Sequence, residues 1–183
     1  TTKVLVFGDS ISAAHGLKTG EGWVCLLQQK LKNENYDVTI INASMSGETT
    51  VGGLNRIESA LSSNQPHILI LELGGNDALR GFPIHIIEQN LSQMIEAAQN
   101  QNTTVILAGM RIPPNYGQQY TERFFQIYQN LAEKYQIALI PFILEGIGDN
   151  PELMQTDGIH PNAQAQAKIL AHVWPVLVQV LQT

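Results

Sequence analysis

The feature that most constrains the fold is a regular alternation between short apolar runs and longer amphipathic stretches. Five runs rich in Val, Ile and Leu occur at residues 4–7, 38–41, 68–73, 105–108 and 137–140. Each run has the length of a strand that is buried on both faces. The sequence therefore predicts five buried strands separated by helices.

The stretches between the runs carry the apolar period of a helix. Apolar side chains recur every three or four positions, at Trp23, Leu27 and Leu31; at Leu54, Ile57 and Leu61; at Ile84, Ile87, Leu91 and Ile95; and at Tyr120, Phe124, Ile127 and Leu131. A last helix is predicted to start at Pro161, a residue that suits a first helical position, and to run toward Val180 with a kink at Pro175.

This order of elements predicts an α/β fold. We expect a three-layer α/β/α domain around a five-stranded parallel sheet of flavodoxin-like order 2-1-3-4-5. The length of 183 residues fits one domain, which we place at 1–183. Ligands of such sheets bind beyond the carboxyl ends of the strands, where the strand order reverses. Here that point lies between strands one and three.

Polar phrases follow the predicted strands at this edge of the sheet. They are GDSIS at 8–12, NASMSGETT at 42–50, GGND at 74–77 and, after a loop, DGIHP at 157–161. Because strands one and three are neighbours in the predicted order, Ser10 and Asn76 should lie beside each other.

These phrases contain the groups that acyl transfer from an ester needs. A carboxylate that binds one ring nitrogen of a histidine leaves the other nitrogen free to accept a proton, so Asp157 and His160 form an acid–base pair. Ser10 would be the nucleophile that His160 activates. The backbone N–H groups of Ser10 and Gly47 and the side-chain amide of Asn76 are candidate donors to the developing oxyanion.

Each phrase also has an ordinary structural explanation. GDS can be a turn, SGETT can be the capped start of a helix with Glu48 near its positive end, and GGND can be a tight turn. Asp157 and His160 can be surface loop residues. The presence of all the required groups at one edge of one sheet favours the catalytic interpretation.

Other polar residues fit the chemistry less well. Four histidines lack a comparable acidic partner and are expected to be surface or packing residues: His15, His67, His85 and His172. Asp9 and Asp77 are predicted to pin their loops by accepting backbone N–H bonds.

The phrase MRIPPNYG, at residues 110–117, follows the fourth strand. It fits a stiff connector and a wall of the substrate cleft equally well. In the second interpretation Met110, Ile112 and Pro113 contact the substrate.

The four phrases together resemble the SGNH (GDSL) hydrolase family, whose four sequence blocks supply Ser, Gly, Asn and His. Ile11 stands where the family usually has Leu. The resemblance covers essentially the whole chain and is strongest to the bacterial group of multifunctional arylesterases, acyl-CoA thioesterases and lysophospholipases. It implies Ser10, His160 and Asp157 as the triad, Gly47 and Asn76 in the oxyanion hole, a fatty-acyl substrate and a periplasmic or secreted location.

Several other classes of protein are disfavoured. A net charge of −6 argues against a nucleic-acid partner. No apolar run is long enough to span a membrane, and the start at Thr1 is compatible both with a removed export signal and with a trimmed sequence. The single cysteine, Cys25, forbids an internal disulfide and is expected to be packed and inert.

No other catalytic motif competes for the serine. The chain has no G-x-S-x-G, no G-x-G-x-x-G and no phosphate-binding G-x-x-x-x-G-K-[ST]. DGIHP offers two metal ligands at most, so we predict no metal and no cofactor. We expect a monomer that acts on a small acyl ester or thioester. The alternatives are a carbohydrate O-deacetylase of the same fold and a non-catalytic domain that binds a small ligand.

Overall fold

The sheet of the computed structural model, which describes residues 1–183, has five parallel strands. Its order is β2-β1-β3-β4-β5, so the predicted fold is confirmed. The strands are β1 (Thr2–Gly8), β2 (Val38–Asn42), β3 (Ile68–Glu72), β4 (Thr104–Ala108) and β5 (Ala138–Ile140). Strands β1 and β3 lie at the centre and supply the ends around which the site is built.

Six α-helices surround the sheet. They are α1 (Trp23–Asn33), α2 (Thr50–Asn64), α3 (Gly75–Leu79), α4 (Ile84–Asn100), α5 (Gln118–Tyr135) and α6 (Gln166–Leu181). Helix α1 packs against α6, while α2, α4 and α5 form a second packed row. None of the helices combines the length and the apolar character needed to cross a membrane.

The core explains why the central strands read as continuous apolar runs. All five residues of β3 are buried, and Val4, Leu5, Val6 and Phe7 of β1 are fully buried as well. Both strands are covered on two faces, so no polar alternation is needed. The one charged residue among the buried positions of these two strands is Glu72, whose carboxyl group is fully buried at the end of β3.

The structure differs from the sequence prediction in three places. Helix α6 begins at Gln166, not at Pro161, because Pro161 pairs with Met154 in an isolated antiparallel bridge and a short 3-10 turn precedes the helix. Helix α3 has no predicted counterpart; it starts within the phrase GGND. Cys25 is exposed on α1, so the prediction of a packed thiol was wrong.

Candidate active site

The Ser10 turn follows directly after β1. The Ala13 N–H donates to Asp9 O at 2.9 Å and the His15 N–H to Ser10 O at 3.1 Å, which closes a helical turn around the serine. The Asp9 carboxylate pins the turn by accepting the Ile11 N–H at 3.0 Å, as predicted. Neither the N–H nor the hydroxyl of Ser10 has a hydrogen-bond partner within the protein. Both groups are therefore free to meet a ligand.

The loop after β2 carries Gly47 in a left-handed conformation, with a φ of +79°. A side chain is disfavoured at this φ although the surrounding space is open. The Gly47 N–H has no acceptor within the protein. Arg56 of α2 ties both ends of the loop, because its Nε donates to Glu48 Oε2 at 2.7 Å and its Nη1 to Ala43 O at 3.2 Å.

The third loop places Asn76 on the first turn of α3. Its Nδ2 donates to Glu48 O at 2.8 Å, which joins it to the Gly47 loop and leaves its second N–H available. The neighbouring Asp77 accepts the Thr50 N–H at 2.9 Å and the Thr50 hydroxyl at 2.7 Å. Asp77 thus pins the start of α2, whereas the sequence analysis expected it to pin its own loop.

Gly74 opens this third loop at a φ of +121°. A Cβ there would lie 2.1 Å from the Tyr128 hydroxyl, which donates to Leu73 O at 2.7 Å. Only glycine lets the backbone pass the tyrosine at this distance, so the first glycine of GGND is a requirement of packing.

The acid–base pair lies on the loop before α6. Asp157 Oδ2 lies 2.6 Å from His160 Nδ1, and Asp157 Oδ1 accepts the N–H groups of Ile159 and His160 at 2.9 and 3.0 Å. The bond with the His160 ring, and after it the two bonds from backbone N–H groups, hold the pKa of Asp157 well below its ordinary value. An ionised Asp157 accepts the Nδ1 proton, so Nε2 is the basic nitrogen of the ring.

Two contacts bring this loop to the Ser10 turn. The rings of His15 and His160 lie 4.2 Å apart between centroids. Gln155 Nε2 donates to His15 O at 2.7 Å and to Pro161 O at 2.9 Å. Because the His15 N–H binds Ser10 O, the two extremities of the chain meet at this place. The Ser10 hydroxyl makes no hydrogen bond to His160 in the structure.

His15 is a site residue that the sequence analysis missed. It was set aside because no acidic partner is near it in sequence, yet its ring stacks on His160. The only signal was its position five residues after Ser10, in the same segment that follows β1.

The remaining predicted residues are distributed as follows. Met110 is buried, and its Cγ lies 3.7 Å from where a Cβ on Gly75 would be, next to the third loop. Ile112 is buried in the core, whereas Pro113 is exposed. The ring of His67 accepts the Lys3 N–H at 2.9 Å, in line with a structural role.

The geometry defines a class of protein. An α/β sheet carries a serine after its first strand, free donors on two neighbouring loops and an Asp–His pair before the last helix, which is the arrangement of a serine-dependent acyl hydrolase. The chain belongs to the GDSL-like lipase/acylhydrolase family, whose model matches residues 6–168. The family and the class of ester hydrolase predicted from the sequence are thereby confirmed.

Curated relatives and a solved structure of similar proteins agree with this family assignment. An esterase, TesA of Pseudomonas aeruginosa, is 47% identical over 178 residues, which is 97% of this chain and 89% of that protein. Thioesterase 1/protease 1/lysophospholipase L1 of Escherichia coli K12 is 40% identical over 163 residues, 89% of this chain and 77% of that protein. The psychrotrophic esterase EstA from a Pseudoalteromonas species, inhibited by monoethylphosphonate, superposes with a TM-score of 0.95 at 38% identity over 100% of both chains.

Proposed function

We propose that Ser10, His160 and Asp157 hydrolyse carboxylic esters and thioesters in two acyl-transfer steps. Ser10 Oγ attacks the carbonyl carbon while His160 Nε2 accepts its proton, and the leaving alcohol or thiol takes that proton as its bond to the acyl group breaks. Water then attacks the acyl-enzyme with the same base and releases the acid. The observation that carries the proposal is the 2.6 Å Asp157–His160 pair, held beside the Ser10 turn by Gln155 and His15.

The oxyanion hole of this proposal consists of three N–H groups. They belong to the backbone of Ser10 and Gly47 and to the side chain of Asn76. The two backbone donors have no acceptor in the protein, and the Asn76 amide has one N–H to spare. Each such donor contributes typically about 10²- to 10³-fold to the rate.

The substrate class rests on apolar side chains that border the site. Met45 is 50% exposed, Leu79 36% and Ile159 62%, and each comes from a loop or short helix that also carries a proposed site residue. Met110 is buried beside Gly75. This surface favours a fatty-acyl or aryl group, because each buried methylene contributes about 0.8 kcal/mol. The names of the esterase and thioesterase/lysophospholipase relatives extend the proposal to thioesters and lysophospholipids.

A fluorophosphonate probe tests the nucleophile. The relative inhibited by monoethylphosphonate makes such a reagent a rational choice. We expect one adduct, located by mass spectrometry on the peptide that contains Ser10, and none in heat-denatured protein or in Ser10→Ala. An adduct elsewhere, or none on folded protein, would remove the assignment.

A series of p-nitrophenyl esters from acetate to palmitate tests the acyl group. We expect kcat/KM to rise from acetate to the medium-chain esters, in parallel with hydrolysis of an acyl-CoA and a lysophospholipid. A series that is flat or favours acetate would contradict the fatty-acyl proposal and support a deacetylase, without affecting the serine mechanism.

We also propose that residues 1–183 form one catalytic domain that acts as a monomer in the periplasm. All proposed site residues come from one chain, which supports the monomer. Light scattering coupled to gel filtration and fractionation of expressing cells would test the two statements separately.

A further inference from the structure

A buried pair of carboxyl groups lies directly beneath the Ser10 turn, and the proposed mechanism does not use it. Glu72 ends β3 opposite Gly8 of β1, and it is fully buried, while Asp9 is 3% exposed. Neither residue takes part in any of the five ion pairs of the protein. Two buried acids without a cation need another way to limit their charge.

The two oxygens of Glu72 have unequal surroundings. Oε1 accepts the Ser12 hydroxyl at 2.6 Å and the Asp9 N–H at 3.4 Å, so it contacts the residues on both sides of Ser10. A Cβ on Gly8 would lie 2.6 Å from this oxygen, which explains why the GDS phrase begins with glycine. Oε2 is buried and receives no N–H or O–H donor. A bare carboxylate oxygen in this position is strongly disfavoured, because burial removes its hydration and no donor replaces it.

Asp9 is the acidic neighbour of Glu72. Its Oδ1 is occupied by the Ile11 N–H, and its own N–H lies 3.4 Å from Glu72 Oε1, so the two buried acids are adjacent. Two neighbouring carboxyl groups can hydrogen-bond to each other only when a proton lies between them, and two like charges in contact do not both ionise in a buried site.

We propose that Glu72 positions the Ser10 turn as a neutral acid, sharing one proton with Asp9. The catalytic consequence of this inference rests on the assignment of Ser10 as the nucleophile. The proton shared by Glu72 and Asp9 does not depend on that assignment. In the paired state one carboxyl group holds Asp9 and Ser12 and thereby fixes the Ser10 N–H in the oxyanion hole.

The electrostatics agree with this geometry. Burial and then the charge of Asp9 raise the pKa of Glu72 well above its ordinary value. Burial also raises the pKa of Asp9, to about 6, although bonds from Glu72 and Ile11 and the charge of His160 lower it. The proton therefore resides mainly on Glu72 at neutral pH, and Asp9 carries the single negative charge.

Other groups around the pair do not replace the proton. His160, on the loop before α6, lowers the pKa of Asp9 only through the charge that its ring carries when protonated. Burial raises the pKa of the Tyr128 hydroxyl on α5 well above its ordinary value, and that hydroxyl donates to Leu73 O. Asp77 of α3 adds only further negative charge near Tyr128.

Glu72→Gln is the decisive variant. The amide oxygen still accepts from Ser12 and Asp9, and the amide N–H donates to Asp9 in place of the shared proton. We expect kcat within about threefold of the parent, whereas Glu72→Ala should lower kcat by about 10²-fold with little change in KM, the loss of one oxyanion donor. If Glu72→Gln is as inactive as Glu72→Ala while folded, a neutral Glu72 is ruled out.

Asp77 offers a matched comparison because it is a buried acid that faces only donors. Asp77→Asn turns an amide N–H toward the Thr50 hydroxyl, so we expect a larger loss of activity and stability than in Glu72→Gln. Equal tolerance of both substitutions would mean that the experiment does not sense protonation, and would count against the proposal.

The pH dependence of stability gives a readout that a purely structural role would not move. A raised pKa means that the folded state holds a proton that the unfolded chain releases above about pH 4.3. The stability contributed by the pair is present at acid pH and decreases as pH rises toward the folded pKa. Between pH 5 and 8, the Tm of Glu72→Gln should therefore fall less than the Tm of the parent. Identical slopes of Tm against pH would contradict the proposal.

Infrared difference spectroscopy observes the proton directly in the unmodified protein. We expect a carbonyl stretch of a protonated buried carboxyl at pH 7 that is absent in Glu72→Gln. Its absence in the parent would overturn the proposal even if Glu72→Ala does not fold. Ser10→Ala should keep the band, so a failed nucleophile assignment and a failed proton pair give different results.

Discussion

The two sides of the active site are held by different means. The donor side, made of loops 8–12, 43–50 and 74–77, is tied together by buried bonds such as Thr50 to Asp77 and Ser12 to Glu72. The acid–base loop, residues 154–162, carries Asp157 with its side chain 39% exposed, and the bonds of that carboxylate stay within three residues of it.

This difference matches the two tasks of the site. Oxyanion donors are effective only when they are fixed before the charge develops, because reorganisation would cancel their benefit. A base must approach the nucleophile and then the leaving group, so a loop held by a few exposed contacts is sufficient. We therefore expect substitutions on the donor side to affect kcat and stability together, and those on the loop to affect kcat with little change in stability.

The largest effect should come from Ser10→Ala. Loss of the proposed nucleophile should lower kcat by about 10⁵-fold or more, as removal of a catalytic serine does elsewhere. Ser10 Oγ makes no bond in the protein, so Tm should remain within a degree or two. Ester hydrolysis by purified protein and thermal melts check both expectations. Activity within tenfold of the parent would place the nucleophile elsewhere.

Asp157→Asn should have the next largest effect. An asparagine amide facing Nδ1 forces the imidazole into the wrong tautomer, which costs about 10⁴-fold in kcat. Because the side chain is largely exposed, Tm should change little. Steady-state kinetics with a p-nitrophenyl ester measures the loss. Glu152, exposed five residues before Asp157, gives a control in Glu152→Gln, which should keep full activity.

Asn76→Ala should lower kcat by about 10²- to 10³-fold with a smaller change in KM. It also removes the bond to Glu48 O, and we expect a loss of about 1 kcal/mol in the free energy of unfolding. Urea unfolding and kinetics on the same samples test the pair of effects. A kinetic loss without any loss of stability would contradict the idea that the donor side is locked by its own bonds.

The sequence predicts the donor side better than the acid–base loop for a physical reason. Its residues follow directly after buried strands, so strand order alone brings Ser10 and Asn76 together. The loop lies beyond β5 by way of a long connection, and its end was misplaced: Pro161 was expected to open a helix and instead forms a bridge. The stacking of His15 on His160 depends on that loop and was missed for the same reason.

Glu72 shows a different limit. In the sequence it lies inside the apolar run 68–73, and nothing there indicates a role for its carboxyl group. Apolar periodicity reports where a side chain lies but not whether its carboxyl group is protonated, because that depends on Asp9, which is distant in sequence. The pair exists only because the fold brings the end of β3 against the turn after β1.

The smallest effect, and the finest test of the comparison, should come from Gln155→Ala. Its amide makes the two bonds that join the loop to His15 O and to Pro161 O. Losing them should lower kcat about three- to tenfold, the net value of one or two hydrogen bonds, with Tm changed by only a few degrees. Gln119→Ala, at an exposed position of α5, is the control and should behave as the parent.

Hydrogen exchange then separates a loosened loop from a generally weakened protein. In Gln155→Ala, amides of residues 154–162 should exchange faster while those of 8–12 keep their protection, because the buried bonds beneath Ser10 are untouched. Faster exchange on both sides would show that the two halves open as one unit. In that case the distinction between a fixed set of donors and a mobile base would have to be abandoned.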